Sequence, residues 1–237
     1  MPERVGIIAA LEREVRPLVS KWKRAQCGEL KGWRSGDLLV VCGGIGPVPA
    51  QRAAEIVVRE FHPELLISVG FAGSLDPSVK PPDVLVPARV LDGRSGREYQ
   101  TVDSGNQMSL LTLDGVASAT SKAELSRCFG AQAVDMEAAA VAQVACSRGL
   151  QFRAVKAISE DVNFPIPSFV PFITEDGRLR LGSLLAHAAM RPGLWAALAG
   201  LGRNSARAAR ALSLALRPLE RGDAALDGVA QPSRGVG

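Results

Sequence analysis

Aromatic side chains are scarce in this chain, 5% of 237 residues, so aliphatic packing has to supply most of any core. Histidine is scarcer still, with only His62 and His187. The four cysteines, Cys27, Cys42, Cys128 and Cys146, lack the close spacing that gathers N and S ligands around a metal. No metal site is expected, and the cysteines read as reduced, mostly buried thiols. No run of about 18 uncharged apolar residues exists, so no membrane-spanning helix is predicted. Met1-Pro2-Glu3-Arg4 leads straight into a short apolar run and then acids, unlike a secretory signal. The chain is expected to stay in the cytosol.

What is present begins with a 47% apolar content, ample for one large α/β domain. The net charge of +4 is unevenly placed. Residues 191–237 hold seven arginines against three acids, which accounts for all of it, and residues 1–190 are balanced. A neutral main body argues against a broad nucleic-acid surface, and the arginine-rich tail lacks the interleaved aromatics that stack on bases. No nucleic-acid partner is expected.

Val5–Ala10, Asp37–Cys42 and Leu65–Val69 are short continuous apolar runs, the pattern of strands buried on both faces. Asp83–Val90, Leu110–Leu113 and Phe152–Ile158 extend the series. Helices are predicted from Glu12 to about Trp22, Pro49 to Phe61, Ser121 to Phe129, and Ala138 to about Arg148. The alternation predicts a three-layer α/β/α fold, with a central mixed, mostly parallel twisted sheet flanked by helices. Residues 91–106 are rich in Gly, Asp, Ser and Arg and read as a mobile loop near the site. One or two helices are expected over Phe169–Leu185. A C-terminal amphipathic helix follows, with leucines at helical spacing opposite Arg203, Arg207, Arg210, Arg217 and Arg221. The division expected is therefore a catalytic domain over 1–190, a basic amphipathic helix over 191–221, and a disordered tail over 222–237.

In such sheets ligands collect at the carboxyl ends of strands. Glu12–Glu14, Gly43–Gly46, Asp135–Glu137 and Ser159–Asp161 all fall there, and three of the four bring carboxylates. Any one acid alone reads as a helix cap or first-turn charge. Several together, with no metal and no histidine, suggest sugar chemistry. Glycosidic cleavage needs one group to protonate the leaving group and another to orient the attacking nucleophile.

The residues also resemble a known family. Val5-Gly-Ile-Ile-Ala-Ala-Leu-Glu-Arg-Glu-Val15 is similar to the opening of methylthioadenosine/S-adenosylhomocysteine nucleosidases, within the purine nucleoside phosphorylase-type superfamily. Gly43-Gly-Ile-Gly46, Gly70-Phe-Ala-Gly-Ser-Leu-Asp-Pro77, Ala133-Val-Asp-Met-Glu-Ala-Ala-Ala140 and Phe152-Arg-Ala-Val-Lys-Ala-Ile-Ser159 continue the resemblance in order. It implies cleavage of a purine N-glycosidic bond without a cofactor, in a homodimer. It also implies that Glu14 activates water, that Glu137 binds the ribose 2′- and 3′-hydroxyls, and that Met136 packs on the sugar. Gly44, Phe71, Ala72, Gly73 and Ser159, from the same motifs, complete the candidate substrate-binding set.

The family's proton donor to the purine is an aspartate directly after Ser159. Here Glu160 stands in that place and Asp161 follows, so either acid is a candidate. Phe71 replaces a small residue beside the nucleoside. The compact form and the Arg/Ala/Leu tail resemble the hopanoid-associated nucleoside phosphorylase branch, which implies a lipid-linked adenosyl substrate. The basic helix then has two readings: it docks on the domain, or it touches an anionic membrane peripherally. Water is preferred to phosphate as nucleophile, because no arginine lies in Gly43–Gly46 and Glu14 repels an anion. Phosphorolysis and a binding protein that has lost turnover are the alternatives.

Overall fold

Strands that are apolar at every position must be covered on both faces, and helices cover them here. The computed structural model describes residues 4–102, 107–115, 117, 119–164 and 195–222. In chain order the elements are β1 (Val5–Ala9), α1 (Glu12–Val19), β2 (Lys23–Cys27), β3 (Leu30–Ser35), β4 (Leu38–Cys42) and α2 (Pro47–Phe61). Next come β5 (Leu65–Ser74), β6 (Val84–Leu85), β7 (Arg89–Asp92), β8 (Glu98–Gln100), β9 (Ser109–Thr112) and α3 (Ala119–Phe129). The series ends with β10 (Ala133–Asp135), α4 (Ala138–Ser147), β11 (Gln151–Glu160) and α5 (Trp195–Glu220).

All eleven strands join one mixed sheet. Its centre, β4-β1-β5-β11, is parallel, as are the β10-β9 and β9-β7 ladders; the short β10–β5 pair is antiparallel, and the other antiparallel pairs lie toward the flanks. Alternate side chains serve opposite layers. Ile8, Leu39, Val41, Leu66, Ala154 and Ile158 pack under α2 and α4. Ile7, Val40, Ile67, Val69, Val155 and Ala157 pack under α1 and α5. Gly6 lets α2 close on the first face, since a Cβ there would lie 2.6 Å from Val57 Cγ1. This is the three-layer arrangement expected from the sequence.

β5 organises the rest. β11 follows one edge of it for nearly its whole length. The other edge is shared: β1 pairs with it as far as Val69, and β10 takes over at Gly73. Gly70, Phe71 and Ala72 lie between the two partners. The chain leaving β1 and the chain leaving β10 both turn into helices at this gap.

Several expectations are corrected. Of the loop expected over 91–106, positions 103–106 lie outside the described residues, and residues 91–102 are largely strand and turn. They form most of the β7–β8 hairpin, whose turn is held by the Asp92 carboxylate accepting from the Arg94 amide and the Ser95 hydroxyl. Asp92 to Tyr99 line a separate polar pocket with Gln51 and Gln143. The first helix ends at Val19, and a polar hairpin, β2–β3, follows at the sheet's edge. The cysteines are all free, but only Cys27 is buried; Cys42 is half-buried, and Cys128 and Cys146 are exposed. The helices expected over Phe169–Leu185, the tail from 223 onward and the boundary at 190 lie outside the described residues.

The C-terminal helix, α5, crosses the α1 face of the sheet. Ala208, Leu212, Leu216 and Leu219 are buried against α1, β11 and their neighbours. Trp22 Nε1 donates to Glu220 at 2.6 Å and ties the ends of the two helices together. The leucine stripe is thus occupied by the domain itself. Among the described residues no helix is long and apolar enough to cross a membrane. Leu212→Ala should lower unfolding stability by about 2–5 kcal/mol, the usual cost of emptying a buried leucine site. Leu214→Ala, at a position 60% exposed, should stay within about 0.5 kcal/mol of wild type. Urea midpoints test this, and equal effects would contradict the docking of α5.

Candidate active site

The gap beside β5 opens into a cavity of about 170 Å³. Its walls come from five places: Ala10, Leu11, Arg13 and Glu14 after β1, Ile45 after β4, Phe71 to Gly73 in β5, Val134 to Glu137 at the end of β10 and just past it, and Ser159-Glu160 at the end of β11. Gly115 and Ala117 close one side. Leu201 and Ser205 of α5 close another, a contribution that nothing local in the sequence announces.

Glu14 occupies the third position of α1 and is only 6% exposed. Its Oε2 accepts the amides of Ala10 and Leu11, both at 3.1 Å. These bonds cap the helix, which is the bland role of an acid at this position. The burial and the placement in the pocket wall go beyond it. Burial raises the Glu14 pKa, against the opposing pull of the Leu11 amide and of the Lys156 ammonium.

Glu137 faces the same cavity from the β10–α4 junction. Its Oε1 accepts the Gly46 amide at 2.8 Å. Burial first, and the neighbouring Asp135 carboxylate second, push its pKa up to about 7. Met136 lies beside it in the wall.

Beneath these acids lies a cation that the sequence reading did not single out. Lys156, central in β11 and fully buried, donates to Asp135 Oδ2 at 2.8 Å and to Ser68 Oγ at 3.0 Å. Burial pulls its pKa down, but Asp135, Glu137 and Glu14 surround it and hold that pKa above the ordinary lysine value. Asp135 also accepts from Thr112 Oγ1 at 2.6 Å and from the Ala138 amide at 2.9 Å. It is a structural anchor, marked in the sequence only as the first residue of the strand-end segment Asp135–Glu137.

At the end of β11 the register against β5 shifts between Ile158 and Glu160, a bulge that sets Glu160 opposite Gly73. Ser159 is buried, its hydroxyl 3.5 Å from the Ala72 carbonyl. Glu160 lines the cavity, and its Oε1 accepts from Lys122 Nζ of α3 at 3.1 Å. Asp161 is exposed, and its carboxylate accepts the Asn163 amide at 3.0 Å. Of the two neighbouring acids, the fold turns Glu160 into the cavity.

The remaining candidates divide. Phe71, Ala72 and Gly73 line the cavity, with the Arg13 guanidinium 6.0 Å from the Phe71 ring centroid. Gly44 does not line it, and its amide donates to the Ala10 carbonyl at 3.1 Å. The Gly43 amide donates to Ala9, and that of Gly46 to Glu137. The glycine turn after β4 therefore has these three amides engaged within the protein.

Fold and site together define an α/β/α enzyme fold with carboxylates from several strand ends gathered around one cavity. The chain belongs to the phosphorylase superfamily, whose family model matches residues 1–115 and 106–187. Among its relatives is the 5′-methylthioadenosine/S-adenosylhomocysteine nucleosidase of Marinomonas sp., 26% identical over 197 residues, covering 66% of this chain and 85% of that one. The nucleosidase of the same name from Baumannia cicadellinicola is 35% identical over 94 residues, 36% of this chain and 41% of its own length. A Helicobacter pylori nucleosidase solved with 5′-methylthioadenosine in its active site superposes with a TM-score of 0.62 at 21% identity, covering 69% of this chain and 87% of that chain.

A Cβ at Gly73 would stand 2.5 Å from Glu160 Oε1, and the atom it meets is the tip of a flexible side chain. Gly73→Ala should therefore fold with stability within about 1 kcal/mol of wild type yet turn the Glu160 carboxyl away from Lys122. A crystal structure of the variant with the Lys122–Glu160 contact intact would contradict this.

Proposed function

We propose that this chain is a purine nucleosidase, which cleaves the N-glycosidic bond of an adenosine derivative and transfers the sugar to water. The observation that carries the reading is the convergence of Glu14, Glu137 and Glu160 on one cavity from three separate strand ends. The relatives' names support an adenosine derivative, with methylthioadenosine and adenosylhomocysteine as candidates, and the tail's resemblance adds adenosyl-hopane.

In this reading the ribose lies over Met136, with its 2′- and 3′-hydroxyls donating to Glu137. Glu14, anchored by two amides, takes a proton from water as its oxygen attacks the anomeric carbon. Its raised pKa suits a base, because the neutral form is not strongly disfavoured after the transfer. Glu160 hands a proton to the departing purine. Asp161, turned to solvent, takes no part. Charge developing on the sugar meets carboxylates across the cavity, which is the electrostatic requirement of an oxocarbenium-like state.

Phosphorolysis is the alternative, and the bonding around the glycine turn weighs against it. A phosphate needs free amides and fixed positive charge. The Gly43, Gly44 and Gly46 amides are engaged, and Glu14 stands at the position of attack. Arg13 is the cation in the cavity wall. The cytosolic homodimer that the resemblance implies belongs to the same reading. A contact of α5 with an anionic bilayer would have to rest on its arginines, since its buried leucines face the domain.

Adenine release from a nucleoside panel, with and without phosphate, tests the proposal. Activity should not require phosphate, and strict phosphate dependence would replace hydrolysis by phosphorolysis. Glu137→Gln should lower kcat/KM on the order of 100-fold, the loss of two charge-assisted bonds. Glu160→Gln should cost about 100-fold or more in kcat, the usual contribution of a general acid, and Asp161→Asn little. The reverse ranking would assign the acid to Asp161.

The pH dependence follows from Glu137. Only its carboxylate form accepts from both hydroxyls, and with a pKa near 7 that form fills as pH rises. The rate constant kcat/KM should therefore fall as pH drops through about 7. A profile flat from pH 8 to pH 5 would contradict the role.

A further inference from the structure

Lys122 is wholly buried, although it belongs to α3, which packs on a small satellite core beside the main sheet. Desolvating an ammonium is costly unless oxygens replace the lost water. Here two do, and both come from the end of β11: Glu160 Oε1 at 3.1 Å and the Asp161 carbonyl at 3.0 Å. Lys122 stands behind Glu160 and does not itself line the cavity. Gly73, which has no Cβ, leaves the space that the same Glu160 oxygen occupies. The glutamate thus sits against both a cation and a glycine, which fixes the direction of its longer arm.

We propose that Lys122 is a positioning residue for departure of the base: it aims the Glu160 carboxyl into the cavity and stabilises the carboxylate left when the proton has gone. The inference rests on the reading of Glu160 as the acid. In the step, the C1′–N bond breaks and its electron pair goes to the purine. The Glu160 proton moves to a purine nitrogen. Water gives hydroxide to C1′ and its other proton to Glu14, so Glu160 ends as carboxylate and Glu14 as acid. Lys122 keeps its proton throughout, and solvent exchange resets the two glutamates.

Among the described residues the charged neighbours of Glu160 are few. Lys122 faces it from α3 and Asp161 follows it in sequence; Ala72 and Gly73 of β5 bring no charge, nor do Leu201 and Ser205 of α5. Glu14 and Glu137 line the same cavity. Burial works against the Glu160 carboxylate and raises its pKa, while Lys122 works in its favour. Without the ammonium the carboxyl would hold its proton to higher pH and release it less readily.

Lys122→Met, Lys122→Gln and Lys122→Arg test this in the full chain. With a nucleoside, Lys122→Met should lower kcat about 10–100-fold, move KM less than about threefold, and shift the alkaline limb of the kcat profile to higher pH. Lys122→Arg should recover part of the rate. With a nitrophenyl riboside, whose leaving group departs without a proton, the Lys122→Met deficit should nearly vanish. Lys122→Gln, which keeps a neutral donor on a side chain one atom shorter, should show the same contrast if the methionine variant fails to fold.

Equal losses on both substrates would make Lys122 a purely structural tie between α3 and β11 and overturn the inference. A kcat within threefold of wild type with an unmoved alkaline limb would overturn it too. Should Glu160→Gln be inactive on nucleosides while Lys122→Met behaves as wild type, only the role of Lys122 falls. Should Glu160→Gln keep wild-type activity, the reading of Glu160 falls first and this inference with it.

Discussion

One buried ammonium holds the centre of this molecule together. Lys156 on β11 reaches Ser68 on β5 and Asp135 at the end of β10, and Asp135 in turn caps α4 and binds Thr112 on β9. These strands meet where β5 exchanges one partner for another, a place where ordinary ladder bonds are interrupted. A charged pair this deep adds little net stability over a well-packed apolar pair, but removing one member leaves the other exposed to its full desolvation cost. Its value is positional. It fixes the β10–α4 junction from which Glu137 enters the cavity.

The same cation sets the electrostatics above it. Asp135, Glu137 and Glu14 share it, so the carboxylates cannot all be fully compensated. Asp135 is closest and bonded directly. Glu137, buried and beside the Asp135 carboxylate, has its pKa pushed up to about 7, with Lys156 and the Gly46 amide pulling the other way. Glu14 keeps two amides of its own. A second buried cation, Lys122, sits at the far side behind Glu160. The cavity is therefore a ring of acids, each with a different counterweight, and the differences separate their chemistry.

α5 completes the enclosure from a distance in sequence. Its leucines pack the sheet face that α1 leaves uncovered, and Leu201 and Ser205 reach the cavity wall. A helix that looked separable by charge and composition is, in the folded chain, one of the three layers. The arginines lie on its other face because that face is not needed for packing.

Much of the centre was legible in the residues themselves. Strands buried on both faces must be apolar at every position, so β1, β4, β5 and β11 stood out, and acids after β1 and at the end of β11 marked two of the strand ends. The flanks were not legible. β2 and β3 are polar because they lie at an edge, and the β7–β8 hairpin is short and its turn is rich in glycine and charge; neither carries a periodic apolar signal. Glu160 and Asp161 are adjacent acids with equal claims in one dimension. What separates them is a bulge in β11 and the clearance at Gly73, both products of pairing with β5. Lys122 and Lys156 are unremarkable lysines until folding removes their water, because the cost of burial, and hence the need for partners, exists only in three dimensions. The residue types and the order of the strand ends came from sequence alone; which acid faces the cavity, and which cation answers it, was decided by packing.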